Sequence, residues 1–389
     1  SYEGRLYGMG ETLFPRRATI LSYREDWAER LGLSEPETFD DVIDMMYAFT
    51  EDDPNGDGTQ TYGMALAGNL WAGPSDLRGF FAAYDAYPRL WVEVDGGLEY
   101  GGIQPETREV LLVLQQLYAD GVIDQEFALK SPWVELGDDF MNHEVGLTFS
   151  YYWWTDYVPG DLAVETGGET TFNLMKVPHV DGGVAAVDGD MQVRDTLSMR
   201  RGVGHPEAVI KLIDFQGSML QIPERMQPEY NYMPGSDGAP VRTMFYSFQG
   251  INVGFGEVGQ AGRIARAVEQ RSPQGLTEAD MTIYDEILSY VDDDNLDAYD
   301  VYGKYGPGGG SDIVLDIIEN EQFQPNMYAG PNTDAMNRQF GGLRSKQDEV
   351  YSRIIMGAPI EEFDEWVEYW NNQGGSQITS EVNEWYQNQ

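Results

Sequence analysis

Oxygen-bearing side chains recur at alternate positions in residues 53–61, directly after a helical pattern. This is the spacing of the first half of an EF-hand-type calcium loop, in which alternate residues turn their oxygens toward a common centre. Gly58 stands where such a loop bends sharply and turns the next backbone carbonyl inward. The candidate calcium ligands are Asp53, Asn55, Asp57, Thr59 and Thr61.

Two positions of this loop depart from a complete EF-hand. Thr61 occupies a position where a carboxylate is usual, although its hydroxyl or a bridging water could replace it with less charge. Met64 occupies the position of the bidentate Glu that closes a standard loop. An Asp/Asn/Gly-rich turn that binds no metal has the same residue types. The spacing alone leaves both interpretations open.

An amphipathic helix and several alternating elements must position this loop. Thr38 is a candidate N-cap, and apolar residues recur at helical spacing from Phe39 to Phe49. A strand is predicted over 144–149, and residues 306–310 are predicted as an exposed loop. Further helices are predicted over 106–119, 260–269, 278–291, 334–356, 360–372 and 380–387. Strands that alternate with helices indicate an α/β fold with more than one lobe.

The charge of the chain restricts its partners. Its 389 residues include 66 acidic and 24 basic side chains, for a formal net charge of −42. Such a surface repels nucleic acid and anionic lipid, and it indicates a halophilic source or an acidic secreted protein. It also disfavours a highly anionic glycan, although Arg78, Arg89 or Arg242 could serve locally.

The remaining composition excludes some chemistry and favours a carbohydrate ligand. The chain has no cysteine, which excludes disulfides, thiol catalysis and cysteine-ligated zinc. Aromatic residues make up 13% of the chain, including nine tryptophans. Flat aromatic rings cover the apolar faces of pyranoses, so this surplus suits a sugar-binding cleft.

Several motifs occur in the order typical of one protein family. They are EGRLYG at 3–8, YREDW at 23–27, the loop at 53–61, LYADGVID at 117–124, HPEA at 205–208, IIMG at 354–357 and EVNEW at 381–385. Together they resemble the extracellular carbohydrate-binding proteins of ABC importers, family 1 solute-binding proteins of the maltose-binding type. The subgroup is similar to the lipoprotein-like and alginate-oligosaccharide-binding members. In that family a long N-terminal segment precedes the first of these motifs.

The resemblance implies a two-lobed periplasmic-binding-protein-like (type II) α/β fold with a hinge and an interlobe cleft. Residues 1–18 and 192–324 would form an incomplete N-terminal lobe, and residues 19–191 and 325–389 the C-terminal lobe. The calcium loop would then lie in the C-terminal lobe, away from the cleft, in a structural role.

The resemblance also implies sugar-binding residues. Trp153 and Trp154 follow a strand end where the family places stacking aromatics, although strand alternation turns only one of them inward. A place in the core is the alternative for either of them, and Trp71 and Trp91 are the next candidates. Asp237 could accept hydrogen bonds from sugar hydroxyls, or it could lie in a solvated turn.

The implied function is capture of an oligosaccharide and its delivery to an ABC permease, without catalysis. Such a receptor would be a monomer at the cell surface or in the periplasm, lipid-anchored through residues that precede this chain, with calcium as a structural cofactor. A glycoside hydrolase or lyase is one alternative, but a pair of carboxylates among 66 carries no weight by itself. A calcium-stabilised structural protein of the cell surface is the other.

Overall fold

The computed structural model describes residues 9–12, 18–190, 193–211, 214, 232–234, 240–242 and 254–389. The helices are α1 Glu25–Leu31, α2 Phe39–Glu51, α3 Arg78–Ala82, α4 Pro105–Ala119, α5 Glu135–Met141, α6 Val158–Glu165, α7 Gly254–Glu269, α8 Glu278–Asp293, α9 Tyr299–Tyr305, α10 Gly310–Glu319, α11 Gly341–Ile355, α12 Glu361–Trp370 and α13 Ser376–Tyr386. The strands are β1 Met9–Thr12, β2 Ile20–Arg24, β3 Tyr62–Met64, β4 Trp91–Val94, β5 Gly97–Tyr100, β6 Val145–Ser150, β7 Phe172–Met175, β8 Val187–Gly189, β9 Val193–Leu197, β10 Tyr232–Pro234, β11 Pro240–Arg242 and β12 Phe323–Pro325.

A four-stranded mixed sheet forms the centre of the described fold, in the order β3-β6-β2-β7. Strand β2 runs antiparallel to β6 and β7, whereas β3 runs parallel to β6. Every residue of β2 and β6 is buried, as expected for apolar strands covered on both faces. The end of β6 therefore delivers residues 151–154 from the middle of the sheet.

The helix before the predicted calcium loop begins and ends close to where the sequence places it. The Thr38 side chain accepts a hydrogen bond from the Asp41 N–H, and the Asp41 carboxylate accepts one from the Thr38 N–H, which forms a capping box. The apolar side of α2, including Phe39, Val42 and Phe49, is fully buried. The helical periodicity thus predicts both the element and its buried face.

Most of the other helices also match their predicted ranges, but residues 306–310 do not form a wholly exposed loop. Gly310 is buried, and a Cβ at this position would lie 2.2 Å from the backbone oxygen of Tyr152. Glycine is present here because α10 approaches the residues after β6 closely, and not because of an exposed turn. Helices α9 and α10 on either side were not predicted.

Helices α9 and α10 pack against the strands and helices of residues 145–176, and helices α7 and α8 pack against α9 and α10. Val314 and Ile317 of α10 are fully buried in the same apolar cluster as the β2 and β6 side chains. The N–H of Phe172 donates to the hydroxyl of Tyr299, and the hydroxyl of Thr155 donates to the carbonyl of Asp300. The contacts of α9 and α10 described here join residues that the sequence assigns to different lobes. The lobe boundaries at 18, 192 and 324 stay a prediction.

Two short strand pairs connect distant parts of the chain. Strand β8 pairs in parallel with β12, and β1 pairs antiparallel with β9. Strands β1 and β9, which precede and follow residues 18–190 in sequence, are thus neighbours in the structure.

Candidate functional site

Three aromatic side chains form a partly exposed surface that we call the aromatic patch, namely Trp133, Trp153 and Tyr157. The rings of Trp133 and Trp153 are stacked, with centroids 5.5 Å apart and planes 15° from parallel. The Tyr157 ring meets Trp133 edge-on at 5.5 Å. Trp133 remains 40% exposed. The patch therefore offers rigid apolar ring surface at the boundary with solvent.

Strand β6 and the loop of residues 69–76 hold the patch in place. The Tyr151 hydroxyl donates to the Asp76 carboxylate at 2.6 Å, and the Tyr151 ring lies 5.4 Å from that of Trp153. The N–H of Asp76 donates to the carbonyl of Phe149 in β6. A Cβ at Gly73 would lie only 3.1 Å from the Trp133 ring, so that ring rests directly on the loop backbone.

Of the predicted sugar-binding residues, Trp153 alone belongs to the patch. Trp133 was missed because it lies in a loop outside any apolar periodicity. Its signal in the sequence is a tryptophan directly after Ser131 and Pro132, where no helix or strand explains a large ring.

Trp154 and Trp91 lie in the hydrophobic core. Trp154 is fully buried, with its ring 5.1 Å from that of Phe140. Trp91 is 1% exposed and packs against aromatic rings that include those of Tyr100 and Trp370. A ring that is covered in this way has no free face for a pyranose in this conformation. The structure supports the core alternative for Trp154, and it places Trp91, predicted only as a sugar-binding candidate, in the core as well.

Trp71 is also covered, but by polar partners as well as by the core. Its Nε1 donates to Asp348 Oδ1 at 2.7 Å, and the Arg89 guanidinium lies 4.5 Å from its ring centroid. Arg89 donates to Asp348 in turn, at 2.8 Å. Trp71 is 5% exposed, so its indole holds charged groups in position and does not present a face to solvent. Asp237 lies outside the described residues.

A buried ionic cluster lies below the same loop. The Arg78 guanidinium contacts Asp76 at 2.8 Å and Asp188 of β8 at 3.5 Å. Burial raises the pKa of Asp188 to about 7, and the negative charges of Asp190 and Asp76 add to the effect although Arg78 opposes it. Because Asp76 lies closer to Arg78, Asp188 is the carboxyl that takes up a proton.

We expect Asp188→Asn to remove a pH-dependent loss of stability. The folded-state pKa of about 7 exceeds the unfolded value of about 3.9, so the folded protein binds the extra proton between them. The stabilisation that protonated Asp188 contributes is complete below about pH 4 and is lost as pH rises through about 7. In this range the free energy of unfolding falls by up to about 1.4 kcal/mol per pH unit.

Urea unfolding at about pH 5 and pH 8 measures this effect. The wild-type free energy of unfolding should fall more between the two pH values than that of Asp188→Asn. The control Asp76→Asn should destabilise the protein at both, because it deprives Arg78 of its nearest carboxylate. Equal pH slopes for wild type and Asp188→Asn would contradict the assignment.

The predicted calcium loop is ordered by its own hydrogen bonds. The Asp53 carboxylate accepts from the N–H of Gly56 at 3.0 Å and of Gly58 at 3.1 Å. Gly58 has a φ of 76°, in the left-handed region, which provides the predicted bend. Hydrogen bonds from Thr59 lower the pKa of Asp57 and keep that carboxylate ionised. Both carboxylates are exposed on the same short loop.

Asn55 and Thr61 fit a calcium loop differently. The Asn55 amide donates to the carbonyl of His143 at 2.8 Å, which leaves its own oxygen as a possible ligand. Thr61 is 1% exposed, and its hydroxyl donates to the carbonyl of Phe49 at 2.6 Å. The Thr61 side chain is thus turned into the core by the end of α2, and its role as a calcium ligand stays a prediction. In the parts of the chain that the structure describes, no group of three or more His, Cys, Asp or Glu could hold a metal ion.

The fold defines a class of protein. The chain superposes on the alginate-binding protein AlgQ2 without calcium ion with a TM-score of 0.61 at 16% identity, covering 99% of this chain and 75% of that one. FusA of Streptococcus pneumoniae in complex with kestose gives 0.60 at 18% identity, covering 100% and 77%. A FusA EF-hand mutant in complex with fructo-nystose gives 0.55 at 18% identity and the same coverage. The chain therefore has the predicted two-lobed α/β fold of solute-binding proteins.

The sequence model of the family described as bacterial extracellular solute-binding protein matches residues 10–219, and the chain belongs to that family. Lipoprotein LipO of Bacillus subtilis is 34% identical over 141 residues, which are 33% of this chain and 26% of LipO. The polygalacturonan/rhamnogalacturonan-binding protein YtcQ of the same species is 30% identical over 131 residues, 33% of this chain and 25% of YtcQ.

FusA of S. pneumoniae, a fructooligosaccharide ABC transporter substrate-binding protein, is 28% identical over 205 residues, 51% of this chain and 36% of FusA. The matches thus span between 25% and 36% of the length of these curated relatives. Across the described residues, no helix is long and apolar enough to cross a bilayer.

Proposed function

We propose that this protein is a receptor that binds an oligosaccharide and delivers it to the permease of an ABC importer. The observation that carries the proposal is the aromatic patch, in which Trp133 and Trp153 stack in parallel while Trp133 stays 40% exposed. Contiguous apolar patches at the surface, unlike single exposed rings, mark places where ligands or partners bind. A flat, rigid pair of rings suits the apolar face of a sugar.

The named ligands of the relatives support the same class. YtcQ is named for polygalacturonan and rhamnogalacturonan, and FusA for fructooligosaccharides. The receptor would act at the cell surface as a monomer, and a lipid anchor is in line with the match to lipoprotein LipO. The permease is the membrane partner that such receptors serve, and the net charge of −42 argues against nucleic acid as another.

A thermal-shift screen against a glycan library tests this proposal. Oligosaccharides that bind the folded protein should raise its melting temperature in a concentration-dependent way. The shift should be smaller at each ligand concentration in Trp153→Leu, which keeps apolar bulk but removes the ring. A library that produces no Trp153-dependent shift would contradict the proposal.

A receptor of this kind has no turnover, which separates it from a glycoside hydrolase or lyase. Incubation of the protein with its tightest-binding glycan should leave the glycan intact by mass spectrometry. Product formed in proportion to protein concentration would favour the enzyme. The structural surface-protein alternative is disfavoured by the exposed patch, since a purely structural role does not need one.

We further propose that calcium binds the loop that begins at Asp53 and stabilises this part of the fold. Asp53 and Asp57 would supply carboxylate oxygens, Asn55 its amide oxygen and Thr59 its backbone carbonyl. All of these groups lie within one bend of a loop already ordered by backbone hydrogen bonds. Calcium prefers oxygen ligands of this kind.

Chelator should therefore lower the melting temperature, and added calcium should restore it. A stabilisation of about 1–3 kcal/mol is expected when calcium exceeds its Kd by about 10- to 100-fold. Asp57→Asn keeps the acceptor for Thr59 but removes a charge, so the calcium response should shrink. Thr61→Val removes the hydrogen bond to the Phe49 carbonyl, so the free energy of unfolding should fall by about 1 kcal/mol. The increase in melting temperature with calcium should be the same as in the wild type. An unchanged response in Asp57→Asn would contradict the assignment.

A further inference from the structure

Two arginines lie near one carboxylate next to Trp71, and we call Arg89, Arg344 and Asp348 the arginine cluster. The Asp348 carboxylate accepts from Trp71 Nε1 at 2.7 Å and from Arg89 Nη2 at 2.8 and 3.0 Å. Arg344 lies one helical turn before Asp348 on α11. The cluster thus carries a net charge of one positive unit in a chain whose net charge is −42.

Arg89 is buried without full compensation. Its side chain is only 8% exposed and stacks on the Trp71 ring at 4.5 Å. Its Nε and Nη1 have no hydrogen-bond partner among the residues that the structure describes. A buried guanidinium with unsatisfied N–H groups is costly unless another group balances it.

Arg344 is the member of the cluster that lacks a counterion. Its guanidinium packs 5.5 Å from the centroid of the Phe340 ring, and it forms no ion pair or hydrogen bond within the described part of the chain. Burial lowers the pKa of Arg344, and the positive charges of Arg89 and Arg78 add to the effect although Tyr100 and Asp348 oppose it. The one nearby carboxylate, Asp348, is already engaged by Trp71 and Arg89. A half-buried guanidinium with a perturbed pKa and no direct ion pair is a candidate ligand-binding group.

We propose that Arg344, backed by the fixed charge of Arg89, binds a carboxylate of the ligand, so that the oligosaccharide contains an acidic sugar such as a uronate. The planar guanidinium fork matches the two oxygens of a carboxylate. A single excess positive charge matches a single carboxylate. This inference rests on the proposed sugar-receptor function and narrows its ligand class.

The arginine cluster and the aromatic patch are connected through the loop of residues 69–76. Trp71 holds Arg89 and Asp348 at one end of this loop, and Gly73 supports the Trp133 ring two residues later. The carbonyl of Trp71 also accepts a hydrogen bond from Arg78. One ligand of several sugar units could therefore stack on the patch and place a carboxylate on Arg344.

Isothermal titration of the full chain with trigalacturonate and trimannuronate, each against its methyl ester at one fixed salt concentration, tests this inference. The fully esterified sugar has the same stereochemistry but no charge, and it is larger by only one methyl group per carboxyl. At least one acid should bind about tenfold or more tightly than its ester. Arg344→Gln should weaken binding of that acid by about tenfold or more and leave the ester unchanged.

Two further variants make the result specific. Arg353→Gln removes the same charge from the same helix, where Arg353 is half-exposed and paired with Glu362, and it should not change the affinity. Arg344→Lys keeps the charge but loses the fork and should give an intermediate affinity. Circular dichroism and the melting temperature establish that each variant is folded.

The failure of this inference differs from failure of the receptor function. Esters or neutral trisaccharides that bind as tightly as the acids, with no effect of Arg344→Gln, would overturn the acidic-sugar assignment. If that binding still depends on Trp153, the receptor function stands. If no glycan in the wider library binds, both proposals fail.

Discussion

Replacing Trp153 with leucine is expected to weaken oligosaccharide binding about 30-fold, which corresponds to about 2 kcal/mol. The leucine retains the apolar contact with the core against which Trp153 packs, but it cannot offer a flat face to a sugar. Trp133→Ala removes the more exposed ring of the pair and should have a similar effect. Calorimetric titration with the best glycan measures both changes.

The control for these variants is Tyr369→Ala. Tyr369 is 43% exposed, about as much as Trp133, but it lies on α12, where its ring stacks on Trp366. Its removal should leave the affinity unchanged. Equal affinities of wild type, Trp153→Leu and Trp133→Ala would show that the aromatic patch is not the sugar-binding surface.

Replacing Trp91 with alanine is expected to destabilise the protein by about 3–5 kcal/mol. Trp91 is 1% exposed, and its ring contacts those of Tyr100, Tyr328 and Trp370, so the truncation leaves a cavity in the largest apolar cluster. The free energy of unfolding from urea denaturation gives the size of the effect.

This variant also separates the core role of Trp91 from a binding role. Trp133→Ala removes a ring of the same size from the surface and should cost about 1 kcal/mol or less. The folded fraction of Trp91→Ala should bind the glycan with wild-type affinity. Lost affinity together with unchanged stability would place Trp91 in the binding site instead.

The sequence predicts the fold better than it predicts the site. Periodic apolar positions such as Phe39, Val42 and Phe49 specify α2 because one face of that helix must be buried. The ordered motifs predict the family, since they follow one another as they do in related chains. Helix α10 is not predicted, because its glycine-rich start has the composition of a loop. In the structure Gly310 is needed instead for the close packing against Tyr152.

The site depends on contacts between residues far apart in sequence. Neighbouring tryptophans 153 and 154 have the same residue type, yet one lies on the patch and the other is fully buried. Trp133 contacts Trp153 although α5 and β6 lie between them in sequence, and Asp348 contacts Trp71 across 277 residues. Local patterns do not encode such pairings, so Trp133 and Arg344 were not found from the sequence.

The Thr61 side chain illustrates the same limit within a short motif. Its position in the loop spacing predicts a calcium ligand, but its hydroxyl bonds to the carbonyl of Phe49 at the end of α2. A carbonyl at a helix end needs a donor, and the threonine supplies it. Spacing alone does not show whether a hydroxyl binds a calcium ion or donates to a neighbouring carbonyl.

Binding of an oligosaccharide without turnover is the central claim, and one calorimetric titration tests it most directly. The protein should bind the best glycan of the library at a stoichiometry near one, with the glycan recovered intact and with affinity reduced in Trp153→Leu. Cleavage of the glycan, or affinity that does not depend on Trp153, would contradict a receptor that binds sugar on the aromatic patch.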